Sequence, residues 1–421
     1  MSFVVSERSL TLSTDSRKAE VIIVGAGAVG LLTALKLGRA GIDTIVLEAH
    51  NDILRAPRAI AYMPVVVKEL RKLGIYDKLK ALGEANNRGV TWRRQSGEVY
   101  AYFDPQEERL TLGQDRVALA VLEVLKEECP SVQVVFGQRC VGLGPEGGVT
   151  KVMTTGDEED HIWEAKFVVG CDGANSAIRR MCMIPFEGFT WRNFRFTAAD
   201  VDYDFVGHCG FPQANFVVDP EQWAVIAKTG NGNIWRVCYG ERPELSIDKK
   251  EMLERAHDRI MGWLKPMNKD CVFDYKITRL SPYWAHQRCA ETYRKGNVLL
   301  AGDAAHSNNP VGGLGLTSGI LDAVVIGNAL IRHLRRGESD EIITKATEAR
   351  RSTWLNFTNP VSQANFRRLF SVEDRDDSER EAFFQKLKQG DEQFLAEARS
   401  HSNLLPDAFE PAEPVLLQAH I

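Results

Sequence analysis

The chain has 421 residues, with 52 basic and 57 acidic side chains and a formal charge of −5. It shows neither the basic stripe of a nucleic-acid binder nor an acidic tail for a charge-driven partner. That length calls for more than one minimal domain. The eight cysteines form no CxxC pair and the nine histidines no HExxH pattern, so reduced buried thiols and no metal site are expected.

Residues 1–18 are polar, lack an apolar signal core and read as a disordered arm. No run reaches the ~18 apolar residues of a membrane span, so a cytoplasmic location is expected. Val21–Val24 is an apolar β-branched strand that ends in Gly25, Gly27 and Gly30. Gly25 permits a tight turn, Gly27 lets backbone approach a pyrophosphate, and Gly30 lets the next helix pack on the strand. That helix spans 29–39, and its first turn, with Ala28 and Val29, offers free N–H groups to phosphate. A second strand, 43–47, ends in Glu48 and Ala49. A carboxylate there accepts ribose hydroxyls and repels a 2′-phosphate, which suits FAD or NAD rather than NADP.

A helix at 65–73 closes at Gly74, strands follow at 90–94 and 99–103, and an amphipathic helix runs over 116–128. Residues 132–170 read as a strand meander, with 142–148 as a turn. Its last strand leads into the second glycine–aspartate segment, Gly170-Cys171-Asp172-Gly173. Residues 186–280 are rich in alternating aromatic strands. A hairpin joins 223–228 to 234–239 through Thr229-Gly-Asn-Gly-Asn233, and a helix at 249–264 interrupts the sheet. The third segment, Val298-Leu-Leu-Ala-Gly302-Asp303-Ala-Ala-His306, leads to a glycine-rich loop, a helix at 314–335 and a C-terminal helix at 377–399.

The three segments, in this order and spacing, resemble the nucleotide, DG and GD motifs of class A FAD-dependent monooxygenases, the para-hydroxybenzoate hydroxylase and phenol hydroxylase family. The resemblance covers about residues 20–335. It implies an α/β fold: a Rossmann-like, glutathione reductase-type FAD domain (19–90, 113–182 and 281–360), an inserted antiparallel substrate sheet (91–112 and 183–280), and a C-terminal helical segment and tail (361–421). It also implies bound FAD, NADPH or NADH as transient co-substrate, and O2. The substrate would be a small aromatic molecule, hydroxylated through a flavin C4a-hydroperoxide, and the protein a monomer or homodimer with no nucleic-acid partner and no membrane span. Epoxidation or Baeyer–Villiger oxidation by the same intermediate, and a non-catalytic flavin sensor, are the alternatives.

Under this resemblance Asp303 binds a ribitol hydroxyl, while Gly302, Pro310, Gly313, Gly315 and Leu316 pass along the flavin. Asp172 lies near the pyrophosphate, Arg116 reaches the phosphates, and Arg58 and Ala61 belong to a flavin loop. Where many relatives carry Asn in the GD loop, this chain has Thr317, which leaves side-chain contact there open. His306 is read as part of the GD turn and not as a base. Tyr239, Tyr203, Arg195 and Arg192 are the candidate phenol-orienting groups. Alternation puts Trp235 and Tyr239 on one strand face and Arg236 and Cys238 on the other. The Trp235/Tyr239 face is taken as pocket lining, with sheet core as the alternative.

Overall fold

Val21–Val24 is buried on both faces because it is the centre of a parallel sheet. The computed structural model describes residues 17–400 and 404, apart from 56–57, 87, 105, 157–158 and 269. In it Arg17–Val24 pairs in parallel with His161–Gly170 on one side and Thr44–Leu47 on the other. Val132–Val135 and Val298–Leu300 extend the sheet outward, also in parallel. One glycine turn and two glycine–aspartate turns therefore follow neighbouring strand ends, where an open α/β sheet places its ligand crevice. The helices Ala28–Arg39, Gln114–Glu128 and Leu314–Arg336 bury their apolar faces together in one core.

Some expectations are corrected. Val132–Val135 is a parallel strand of this sheet and not the start of a meander. Residues 142–146 lie in the strand Arg139–Glu146, and only Gly147 and Gly148 turn, both at positive φ. The first 16 residues of the proposed arm lie outside the described residues, whereas Arg17 and Lys18 already pair with Trp163 and Glu164. The C-terminal helix is two helices, Asp374–Gln389 and Glu392–Ser400, broken at Gly390 in the left-handed region. The tail beyond residue 400 is described only at Leu404. Cys271 is exposed, unlike most of the other thiols. Leu314–Arg336, 23 residues with a mean hydropathy of 1.7 over 18 of them, is long and apolar enough to cross a bilayer. Here it is a core helix, 72% buried over that window.

The second sheet has seven strands, from Lys276–Tyr283 at one edge to Val99–Phe103 at the other. One internal pairing, Val90–Arg94 with Ala214–Val218, is parallel, so the sheet is mixed. Helix Lys249–Met267 covers one face through Ala256, Ile260, Trp263 and Leu264. The other face turns toward the parallel sheet. Helix Asn359–Phe370 packs here too, with Phe366 fully buried among Trp191, Phe194, Phe196 and Trp223.

A buried ionic knot joins the third turn to the two helices that follow it. Asp322, on Leu314–Arg336, accepts from the Gly302 amide (3.0 Å), His306 Nε2 (2.7 Å) and Arg350 Nε (2.8 Å). Arg350 also donates to the carbonyls of Leu404 and Ser318. Burial raises the Asp322 pKa, but His306 and Arg350 outweigh it and hold the carboxyl below its usual range. Its contribution to stability is therefore complete above pH ~4 and is lost on further acidification. Arg350→Met should cost about 3–5 kcal/mol, because it leaves a buried carboxylate short of a partner. Urea unfolding at neutral pH checks this, and an unchanged midpoint would contradict the assignment.

Candidate active site

One cavity of about 1980 Å³ runs from the strand ends of the parallel sheet to the inner face of the mixed sheet. Its nucleotide end is built from backbone. Gly25 has φ +109°, and a Cβ there would sit 2.5 Å from the Cys171 carbonyl. A Cβ on Gly27 would instead meet nothing within 4 Å, so this turn leaves open space above a helix N-terminus. Ala28, Val29 and Ala49 line the same end, whereas Gly30 and Gly302 are packing positions behind it. Glu48 is fixed by the amides of Ala26 (2.8 Å) and His50 (2.9 Å) and keeps its remaining lone pairs toward the cavity.

Asp172 uses one carboxylate oxygen to cap the helix Ala177–Met181, accepting from Ala177 (2.6 Å) and Ile178 (3.1 Å). Its Oδ1 is buried with no hydrogen-bond partner. Burial pushes this carboxyl up, against Ser176 and the helix amides. Asp303, on the short turn Gly302–Ala304, opens onto the cavity and is otherwise surrounded by protein. Enclosure raises its pKa against the pull of His306 and Arg58. Pro310, Gly312, Gly313, Gly315 and Leu316 line the middle of the cavity, as do Arg58 and Ala61. Gly312 (φ +96°) and Gly313 (φ +69°) turn the chain into Leu314–Arg336, so the helix begins at the cavity wall. Gln287 and Asn309 brace this loop through Ser362 and Asn359. Thr317 is buried and donates to the Gly313 carbonyl (2.8 Å), so its side chain serves the helix and not the cavity.

These residues fit FAD. An open glycine turn, a carboxylate after the second strand, an orphaned Asp172 oxygen and a cavity-facing Asp303 follow one another along a space long enough for a dinucleotide. His306 is locked to Asp322 and belongs to the turn, as the sequence reading has it.

The substrate end corrects the choice of strand face. Ala198, Asp200, Arg236, Cys238, Ser281 and Tyr283 line the cavity. Trp235 and Tyr239 are buried on the opposite face, against helix Lys249–Met267. Tyr203 is in that same core, with its hydroxyl donating to the Val272 carbonyl (2.6 Å). Arg195 is buried beside Glu241 (3.7 Å) and donates to the Pro243 carbonyl. Arg192 is exposed, and neither it nor Arg116 lines the cavity; Arg116 instead reaches the Gly230 carbonyl (3.5 Å). The apolar stripe of the 249–264 helix was the available signal. It has to cover the all-apolar Trp235/Val237/Tyr239 face, which leaves the mixed Arg236/Cys238 face for the cavity. Tyr283 and Cys238 are the functional candidates that the sequence reading missed. The Cys238 Sγ and Tyr283 Oη lie 3.2 Å apart. Burial pushes the phenol well above its ordinary pKa and the thiol up to about 11.

The family model described as FAD binding domain matches residues 18–359. The chain is 37% identical over 359 residues to a para-nitrophenol 4-monooxygenase of Pseudomonas sp. (strain WBC-3), covering 82% of this chain and 86% of that one. It is 34% identical over 366 residues to the 6-hydroxy-3-succinoylpyridine 3-monooxygenase HspB of Pseudomonas putida (strain DSM 28022 / S16), covering 84% and 90%. The crystal structure of p-nitrophenol 4-monooxygenase PnpA from Pseudomonas putida DLL-E4 superposes with a TM-score of 0.85 at 34% identity, covering 93% and 100%.

Gly27→Val should fold normally, since the added side chain enters open space, yet lose bound flavin by about tenfold or more. Absorbance of the purified variant near 450 nm, read with its melting temperature, checks this. Asp303→Ala should likewise weaken flavin retention, and wild-type flavin content in either variant would show that the cofactor is held elsewhere.

Proposed function

The chain belongs to the FAD-binding-domain family and is an FAD-dependent monooxygenase of aromatic substrates, and from that premise we propose that it hydroxylates a small phenol. The phenol lies between the loop 308–313 and the Cys238/Tyr283 face of the mixed sheet. The observation that carries this reading is the continuity of the cavity: one space joins the three glycine-containing turns to that face. FAD, when bound, supplies the oxygen chemistry, with NAD(P)H as reductant and O2 as oxidant.

The chain's own residues bind, orient and exclude water. Tyr283 stays neutral at working pH because burial suppresses its ionisation, so its hydroxyl can donate to a phenolate oxygen. Such a donor favours the ionised substrate and makes its ring more electron-rich. Cys238 holds that hydroxyl from the strand Ile234–Glu241, across the intervening strand Arg195–Asp202. Asp200, paired with Arg236 at 2.7 Å and with Arg279 at 4.0 Å, keeps this part of the cavity wall polar. Pro310 and the turn after it hold the reacting ring close to the start of helix Leu314–Arg336. Its positive end lowers the energy of negative charge that develops nearby. Phe383, Leu387 and Phe394 of the C-terminal helices close the far side and keep water out.

The test is direct. Purified protein should be yellow, and its NAD(P)H oxidation should rise when a phenol is added, with hydroxylated product matching the oxygen consumed. Tyr283→Phe should keep its flavin and lose about 10–100-fold in kcat/KM, the size expected for a hydrogen bond to a charged oxygen. Unchanged kcat/KM and unchanged product yield would remove Tyr283 from the site.

A further inference from the structure

Among the cations on the cavity wall, Arg109 stands apart. Lys228 is paired with Glu84 (2.7 Å), Arg236 and Arg279 with Asp200 (2.7 and 4.0 Å), Arg368 donates to Asn365 Oδ1 (2.8 Å) and Arg180 to the Asn175 carbonyl, while Arg58 and Arg139 are exposed to solvent. Arg109 has neither a carboxylate nor a hydrogen-bond acceptor among the described residues, and its Nε is buried and unsatisfied. Burial lowers the pKa of its guanidinium to about 10, so it remains charged at neutral pH. A half-buried cation with no carboxylate beside it gains from a ligand that supplies the negative partner.

Its position says what that partner is attached to. Arg109 opens the strand Arg109–Thr111, which pairs antiparallel with Ala61–Tyr62. Continuing that register sets Arg109 across from Met63, whose Cε reaches to within 2.9 Å of where a Gly313 Cβ would lie. Arg109 is thus one side chain away from the glycine loop. On its other side the guanidinium lies over the Phe103 ring at 5.9 Å. Phe103 and Phe394 make this part of the wall aromatic. An aromatic wall with one forked cation suits a flat ring bearing a planar acceptor group.

We propose that Arg109 receives a two-oxygen substituent of the aromatic substrate, a carboxylate or a nitro group, and so sets which phenols the enzyme prefers. The proposal rests on the aromatic monooxygenase reading and deepens it. Arg109 acts on binding and selection; it is not assigned a part in oxygen transfer.

The experiment measures dissociation constants of 4-hydroxybenzoate, 4-nitrophenol and 4-methylphenol for the flavin-loaded protein, from the change in flavin absorbance. Wild type should bind the first two at least about tenfold more tightly than the third. Arg109→Met should erase that preference, leaving 4-methylphenol affinity, flavin content and melting temperature unchanged, while Arg109→Lys should keep part of it. Equal weakening of all three phenols, an unchanged preference, or loss of flavin from Arg109→Met would overturn the proposal. Hydroxylated product from wild type is scored separately. Its absence with every phenol would count against the hydroxylase reading, and the binding preference would still decide the role of Arg109.

Discussion

The Asp322 carboxylate is the point on which the architecture depends. It has no solvent contact and accepts from a backbone amide of the third turn, from a histidine of that turn and from an arginine of the next helix. Two donors come from the turn and one from Glu341–Thr353, so the one carboxylate ties the turn carrying Asp303 and that helix to the helix that begins at the glycine loop. It is the fixed reference between the turn that carries Asp303 and the helix that starts at the glycine loop. Such a knot is costly to form and costly to break, because each member is satisfied only while the others remain in place.

From that reference the division of labour follows. The nucleotide end is nearly all backbone: turns, helix starts and carboxylates held by amides. The substrate end is nearly all side chain, on a sheet whose other face is sealed by a helix. Between them lies a loop that glycine makes possible and that Gln287 and Asn309 hold rigid. The C-terminal helices complete the wall, Arg399 reaching back to the Asp104 carbonyl (3.0 Å) to hold the last helix beside Phe103. A rigid scaffold that presents a pre-formed apolar space suits a reaction in which the cofactor supplies the chemistry and the protein supplies orientation and dryness.

How much of this was legible in the sequence depends on how local the physics is. The strand–turn–helix segments could be read because their glycines and β-branched runs act within ten residues. Glu48, Asp172 and Asp303 could be singled out for the same reason, and all three line the cavity. The strand face was not found, since alternation gives two faces without saying which is covered. Tyr239 and Trp235 have the right chemistry for a phenol site, yet Tyr239 packs on Trp263 and Trp235 on Phe205 and Phe211 in the core of the other face. Arg195, a candidate phenol-orienting group by sequence, is buried beside Glu241. Asp322, Arg350, Gln287 and Arg109 carry no local motif; their roles exist only after distant segments meet. Val132–Val135 was misplaced because a short apolar strand reads alike in a parallel sheet and in a meander.

The central claim is that one cavity carries FAD along the three turns and the aromatic substrate on the Cys238/Tyr283 face. A crystal structure of the flavin-loaded enzyme with a bound phenol tests it most directly. The claim predicts the isoalloxazine along Gly312–Leu316 and the phenol oxygen within hydrogen-bond distance of Tyr283 Oη. A phenol bound against Trp235 and Tyr239, or a flavin ring away from that loop, would contradict it.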